Sequence, residues 1–278
     1  MRASICMSTV LTLVFSLCAA ASADNWIEFE ICTYNTGVGQ RYDAEICLGV
    51  DGVSGAGKVQ GQLNGGSWFP FDHRDLAGGN TEYYLETPDD LTLAELNSEI
   101  YASCKLKVTT ASGDCVYNFS INAVTADMFA PIPVITDPND GATVAKNVNF
   151  TWTWSGNTSD VDELWAEVEP LSGGPSWDEN NSCDGTMNLS DTSWQPGLTN
   201  TGQASFCLGY DIDDPMDGSI LLSAITFDAG SSTRSDFGWD DQEAYLSSED
   251  EIDMAVVPEP ATLAVLGIGT LTLIRRRK

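Results

Sequence analysis

Val148-Asn149-Phe150-Thr151-Trp152-Thr153-Trp154 is the stretch whose pattern decides the fold class. Large apolar side chains at Val148, Phe150, Trp152 and Trp154 alternate with Asn149, Thr151 and Thr153. Successive side chains of a strand point to opposite faces, so a two-residue period is that of a strand packed on one side only. The alternation puts Trp152 and Trp154 on the packed face. Just upstream, Asp137-Pro138-Asn139-Asp140-Gly141 supplies turn chemistry. Downstream, short apolar segments at 164–168, 186–189, 204–210 and 220–227 read as further strands. About seven strands in roughly 125 residues suit an antiparallel sandwich.

Working outward, Phe129-Ala130-Pro131-Ile132-Pro133 is the expected domain boundary. Alternate prolines favour an extended connector and exclude a central strand. Before it, Ile27, Phe29 and Ile31 alternate with Glu28 and Glu30, a second strand covers 46–50, and Gly55, Gly57, Gly61, Gly65 and Gly66 punctuate short segments. Tyr83-Tyr84-Leu85 reads as a strand, and Leu106 and Val108 face 116–121 across a turn at 111–114. The one helical candidate is 87–100, with Thr87-Pro88-Asp89-Asp90 as its expected cap. The expected architecture is therefore mainly β, with two antiparallel β-sandwich-like domains at 24–130 and 131–235. Residues 236–256, dense in Asp and Glu, read as a solvated acidic spacer.

Both ends carry export signals. Residues 1–23 hold Arg2, an apolar run over 10–17 and Ala21-Ser22-Ala23, which is a secretory signal peptide with a small-x-small cleavage site for signal peptidase. Residues 257–278 read Val-Pro-Glu-Pro, then an uncharged run over 261–274, then Arg275, Arg276, Arg277 and Lys278. Fourteen helical residues rise only about 21 Å against a hydrocarbon core of roughly 30 Å. The run is thus expected to be a short transmembrane helix whose cations stay in the cytoplasm. Pro258, Glu259 and Pro260, placed against that run and the terminal arginines, resemble the PEP-CTERM sorting signal of Gram-negative bacteria that make extracellular polysaccharide. The resemblance implies recognition and tail removal by an exosortase, a membrane-embedded cysteine protease-transpeptidase. It implies a destination at the cell surface or in the medium, with the membrane touched only through the tail. In the second half, Pro-x-x-Gly-Ala-x-Val at 138–144, followed by Phe150-x-Trp152-x-Trp154, is similar to the opening of fibronectin type III or immunoglobulin-like modules.

The chain carries 41 acidic and 12 basic residues. Without the two signals, seven cations face 40 acids, which makes nucleic acid and anionic lipid poor partners. Six cysteines remain, Cys32, Cys47, Cys104, Cys115, Cys183 and Cys207, and an even number in an exported chain points to disulfides. Cys183 and Cys207 pair if the halves are independent. A hairpin turn at 37–40 would bring Cys32 near Cys47. Cys104 and Cys115 then follow by elimination, although a turn at Ser112-Gly113 leaves them several rungs apart, and pairing between the two hairpins is the alternative.

His73, in Asp72-His73-Arg74-Asp75, is the only histidine, and the motifs of nucleophilic, zinc and phosphate chemistry do not occur. The expected role is therefore non-enzymatic, structural or adhesive, and linked to extracellular polysaccharide, with no cofactor unless calcium. The second reading is a calcium-dependent carbohydrate-binding module. Its metal candidates are Asp211, Asp213, Asp214 and Asp217, an Asp-rich loop without EF-hand register. Its sugar-stacking candidates are Trp68, Trp177 and Trp194. A secreted hydrolase is third, since so many acids make a carboxylate pair uninformative.

Overall fold

The computed structural model describes residues 25–36, 38–75, 81–171, 187–198, 201–213 and 221–258. The expected signal peptide and transmembrane helix lie outside these residues. Among the described residues no helix is long and apolar enough to cross a membrane. The protein is mainly β, as expected, with 54% strand and 5% helix.

In the first half, β1 (Trp26–Thr36) and β2 (Gly39–Gly49) form a long hairpin. β3 (Val59–Leu63), β4 (Phe69–Pro70), β5 (Asp72–Asp75) and β6 (Thr81–Glu86) follow, then helix α1 (Leu93–Ile100) and the hairpin of β7 (Ser103–Thr110) with β8 (Gly113–Ser120). In the second half come β9 (Val134–Asp137), β10 (Ala142–Ala145), β11 (Phe150–Thr153), β12 (Glu163–Pro170), β13 (Ser193–Trp194), β14 (Gly202–Asp213), β15 (Thr226–Phe227) and β16 (Asp241–Val257). One large sheet runs β12–β14–β16–β1–β2–β6–β5, with β10 also paired to β16. A five-stranded sheet runs β15–β8–β7–β3–β4, and a three-stranded sheet runs β13–β11–β9.

The segment expected to be a solvated spacer is β16, the longest strand, at 17 residues, and it lies in the middle of the large sheet. Its acids are not a uniform block. Ala244, Leu246, Ile252, Met254 and Val256 are buried on one face, while Tyr245, Ser247, Glu249, Glu251 and Asp253 occupy the other. Charge density concealed the two-residue period. β16 also departs from the antiparallel expectation, being parallel to β1 through Trp26↔Asp241 to Tyr34↔Glu249 and to β10 through Ala142↔Met254 to Ala145↔Val257. β1 and β10 thus lie end to end along one side of β16, with β14 antiparallel along the other.

That arrangement places two cores side by side on one face of the large sheet. The first gathers Phe29, Ile31, Leu48 and Tyr83 of the large sheet with Val59, Leu106 and Tyr117 of the five-stranded sheet. The second gathers Phe206, Leu208, Val168 and Met254 with Phe150 and Trp152 of the three-stranded sheet. Between them on β16 stand Ser248 and Asp250. The Ser248 hydroxyl donates to the Ala130 carbonyl at 2.8 Å, and the Ile135 N–H donates to Asp250 Oδ2 at 2.7 Å. The Pro131–Pro133 connector is pinned at this seam, with Phe129 in the first core and Ala130 in the second. Chain order does not separate the cores, because Leu221, Leu222, Phe227, Phe237 and Trp239, which lie between β14 and β16 in the chain, return to the first. β15 accordingly pairs with β8.

The strand that opened the sequence reading is observed as β11, with Phe150 and Trp152 buried. Trp154 stacks on Tyr210 at 4.1 Å between ring centroids. The helix begins later than expected. Thr92, not Thr87, is its N-cap, in a capping box with Glu95. Leu91 is tied into a bridge with Tyr42 and Asp90 has a left-handed backbone (φ 60°), so the chain cannot become helical before residue 92. A cavity of about 210 Å³ remains between the two sheets of the first core, lined by Phe29, Ile46, Leu63, Phe69, Leu85 and Ile121 among others.

Candidate functional site

With one face of the large sheet committed to the cores, the chemistry of the protein collects on the opposite face. β1 presents Glu28, Glu30, Cys32 and Tyr34 there, because Ile27, Phe29 and Ile31 point into the first core. β2 adds Asp43, Glu45 and Cys47. β6 adds Glu82, Tyr84 and Glu86, and β5 adds Asp72 and Arg74. On the other side of β1, β16 contributes Glu243, Tyr245, Ser247, Glu249 and Glu251. β14 contributes Cys207, Gly209, Asp211 and Asp213, and the edge strand β12 contributes Glu163, Trp165 and Glu167.

Register turns this list into rows. Glu30 stands opposite Glu45 on one side and Tyr245 on the other, and Glu45 stands opposite Glu86. Like charges directly opposite one another are unfavourable, so this row costs stability when ionised. In the next row Asp43, Cys32, Ser247, Asp211 and Glu163 follow across five strands. The strands of this sheet bring two cations to the face, Arg41 and Arg74. Arg74 is paired with Glu82.

Burial makes the arrangement unusual. Glu28, Glu30, Asp43, Glu45, Glu82, Glu167 and Glu249 are all buried. Glu28 Oε2, Asp43 Oδ1 and Glu45 Oε2 have no hydrogen-bond partner. An isolated buried carboxylate is costly, and the protonated form is correspondingly favoured. Burial, reinforced by neighbouring carboxylates, pushes the pKa of Glu28, Glu30 and Asp43 well above the usual carboxylate range. Burial raises Glu45 to about 7 against a bond from the Cys47 thiol that lowers it. Burial likewise raises Asp211 to about 8, although bonds from Ser247 and Trp165 oppose the shift. Trp165 Nε1 donates to Asp211 Oδ1 at 3.0 Å, and the Ser247 hydroxyl donates to Glu249 Oε1 at 3.0 Å. Neutral donors therefore satisfy part of the face.

The sequence candidates are distributed differently from expectation. Asp211 and Asp213 belong to β14 and not to a loop, while Asp214 and Asp217 lie outside the described residues. Among the described residues no three Asp, Glu, Cys or His side chains converge to hold a metal ion. Trp194 is not an exposed platform. It packs against Phe150 and Phe206 at the second core, with centroids 6.0 and 5.9 Å away. Trp68 is half-buried under the Lys107 ammonium, 4.6 Å from the ring centroid, and Trp177 lies outside the described residues. His73 sits on β5, exposed, stacked on Tyr83.

Four of the expected disulfide cysteines, Cys32, Cys47, Cys104 and Cys115, are free. Cys32 is opposite Asp43 whereas Cys47 is opposite Glu28, a four-residue offset of roughly 13 Å along the strands, beyond the ~7 Å limit for a bridge. Cys104 opposite Phe119 and Cys115 opposite Val108 have the same offset. Cross-pairing fails because Cys32 and Cys47 lie on the carboxyl face while Cys104 and Cys115 sit in the first core, across the sheet. Cys207 is disulfide-bonded, with its partner outside the described residues, where Cys183 also lies.

The signal that could have revealed this face was the period-two spacing of acids in 28–30, 43–45 and 241–257. What a single strand pattern could not give was that β16 and β2 flank β1.

At its C-terminal end β16 passes without a spacer from Val257 into Pro258, so the body abuts its own tail. Residues 256–278 match the PEP-CTERM protein-sorting motif. The match includes Pro258, Glu259, Pro260, Arg275, Arg276 and Arg277, and supports export and processing by exosortase. Its first two residues, Val256 and Val257, are also the last of β16. No curated protein matches the chain.

Proposed function

We propose that the mature protein is a non-enzymatic component of the cell surface or extracellular matrix of a Gram-negative bacterium, delivered by exosortase and serving a structural or interaction role alongside exopolysaccharide. The observation that carries the reading is the sorting motif at 256–278. The excess of 40 acids over seven cations in the body fits a soluble extracellular life and disfavours nucleic acid. Calcium-dependent sugar binding retains Trp68 as its described candidate, since Trp194 is committed to packing. Comparing a strain that has the exosortase with one that lacks it tests the proposal. With the enzyme, tail-free protein is expected at the surface or in the medium, in the polysaccharide fraction. Without it, the full-length chain is expected to stay in the membrane. Identical distribution in the two strains would refute the assignment.

A further inference from the structure

The outer face of the large sheet is a second device, separate from sorting. The geometry points to a proton-gated lock: the carboxyl groups of β1, β2, β14 and β16 close the face while they are un-ionised, and their ionisation loosens the sheet around β1.

The argument begins with register. β1 lies between β2 and β16, and on the outer face each neighbour sets acids beside its own. Glu30 opposes Glu45, Cys32 opposes Asp43, and Glu28 opposes Glu243. From β14, Asp211 and Asp213 face the same surface, and from β12, Glu163 and Glu167 do. Glu249 and Glu251 extend it along β16, while Glu82, Glu86 and Asp72 extend it through β6 and β5. The tyrosines and thiols among them stay neutral, because burial raises Tyr34, Tyr245, Cys32 and Cys47 further from ionisation. Arg41 at the hairpin end and Arg74 on β5 are the cations these strands supply, and Arg74 is engaged by Glu82.

Buried oxygens without partners on Glu28, Asp43 and Glu45 give the independent sign that something is missing from a fully ionised face. A cation caged by three carboxylates does not fit, since among the described residues none converge that way. A proton on each carboxyl does fit. It removes the charge and supplies a donor to a neighbouring oxygen. The linkage sign follows. A carboxyl whose pKa is raised by folding stabilises the body below its unfolded pKa and loses that contribution as pH rises through its folded pKa. The window runs from about 4, where unfolded Asp and Glu titrate, to about 7 for Glu45 and about 8 for Asp211.

Chemical unfolding of the full exported protein, followed by tryptophan fluorescence in EDTA, tests the lock. The unfolding equilibrium constant is expected to be at least roughly tenfold larger at pH 8 than at pH 5. The double substitution Glu28→Gln with Asp43→Asn should reduce that difference, and the single Glu45→Gln serves if the double variant does not fold. Stability that is level or rises from pH 5 to pH 8 overturns the proposal. So does restoration of the pH 5 stability at pH 8 by calcium, which would mean that an ion and not a proton neutralises the face.

Discussion

Gly209 lies beneath the indole of Trp165, and a Cβ there would overlap the ring. Gly49 stands in the same relation to Trp26. Both indoles lie on the carboxyl face, so each glycine gives a flat bed to an aromatic that shields acids beside it. Gly209→Ala should cost about 1–3 kcal/mol through overpacking, measured by urea denaturation. Adding Trp165→Leu to that variant should recover part of the loss, since the obstructing ring is gone. The free thiols give a second test. Denatured but unreduced protein should take up alkylating reagent at Cys32, Cys47, Cys104 and Cys115, and native protein should react slowly because all four are buried. At this scale the sequence was informative about residue type and poor about pairing. Trp152 was legible as core from its alternation, whereas the cysteine offsets needed the register of two hairpins.

Among the elements, β16 matters most. Its three buried residues beyond the seam, Ile252, Met254 and Val256, belong to the second core. At about 1.5–3 kcal/mol each, their burial supplies roughly 5–9 kcal/mol. That is comparable to the whole stability of a typical domain, about 5–15 kcal/mol. Deleting residues 252–257 should therefore abolish cooperative unfolding of the second core, seen as loss of near-ultraviolet circular dichroism from Trp152 and Trp154. α1 is a smaller case. Thr92→Ala removes its N-cap and should cost about 1 kcal/mol, with little effect on the sheets, because the helix buries only Leu96 and Ile100. β1 was legible from its alternation. β16 was not, because Asp241, Glu243, Glu249, Glu251 and Asp253 crowd one face of it, and a strand with so charged a face resembles a solvated tail unless the opposite residues are read separately.

For the whole molecule, the last of the described strands is the one both cores share. β16 spans about 55 Å at the usual rise, pairs with β1, β10 and β14, and ends where the sorting motif begins. Intact-mass analysis of the processed protein should show a C-terminus at or beyond Val257, and a mature chain ending before Met254 would contradict the central place of the strand. The sequence by itself determined the sorting signal, the mainly β class and the absence of familiar catalytic motifs, because a sorting signal and a two-residue period are local properties of a chain. The tertiary structure decided that one sheet joins both halves, that residues 221–239 return to the first core, and that acids from distant segments meet on one face. Those are questions of which strands become neighbours. Neighbours in a sheet are selected by packing and register between segments up to some 215 residues apart, as Asn25 and Asp240 show by their hydrogen bond, and no local pattern carries that choice.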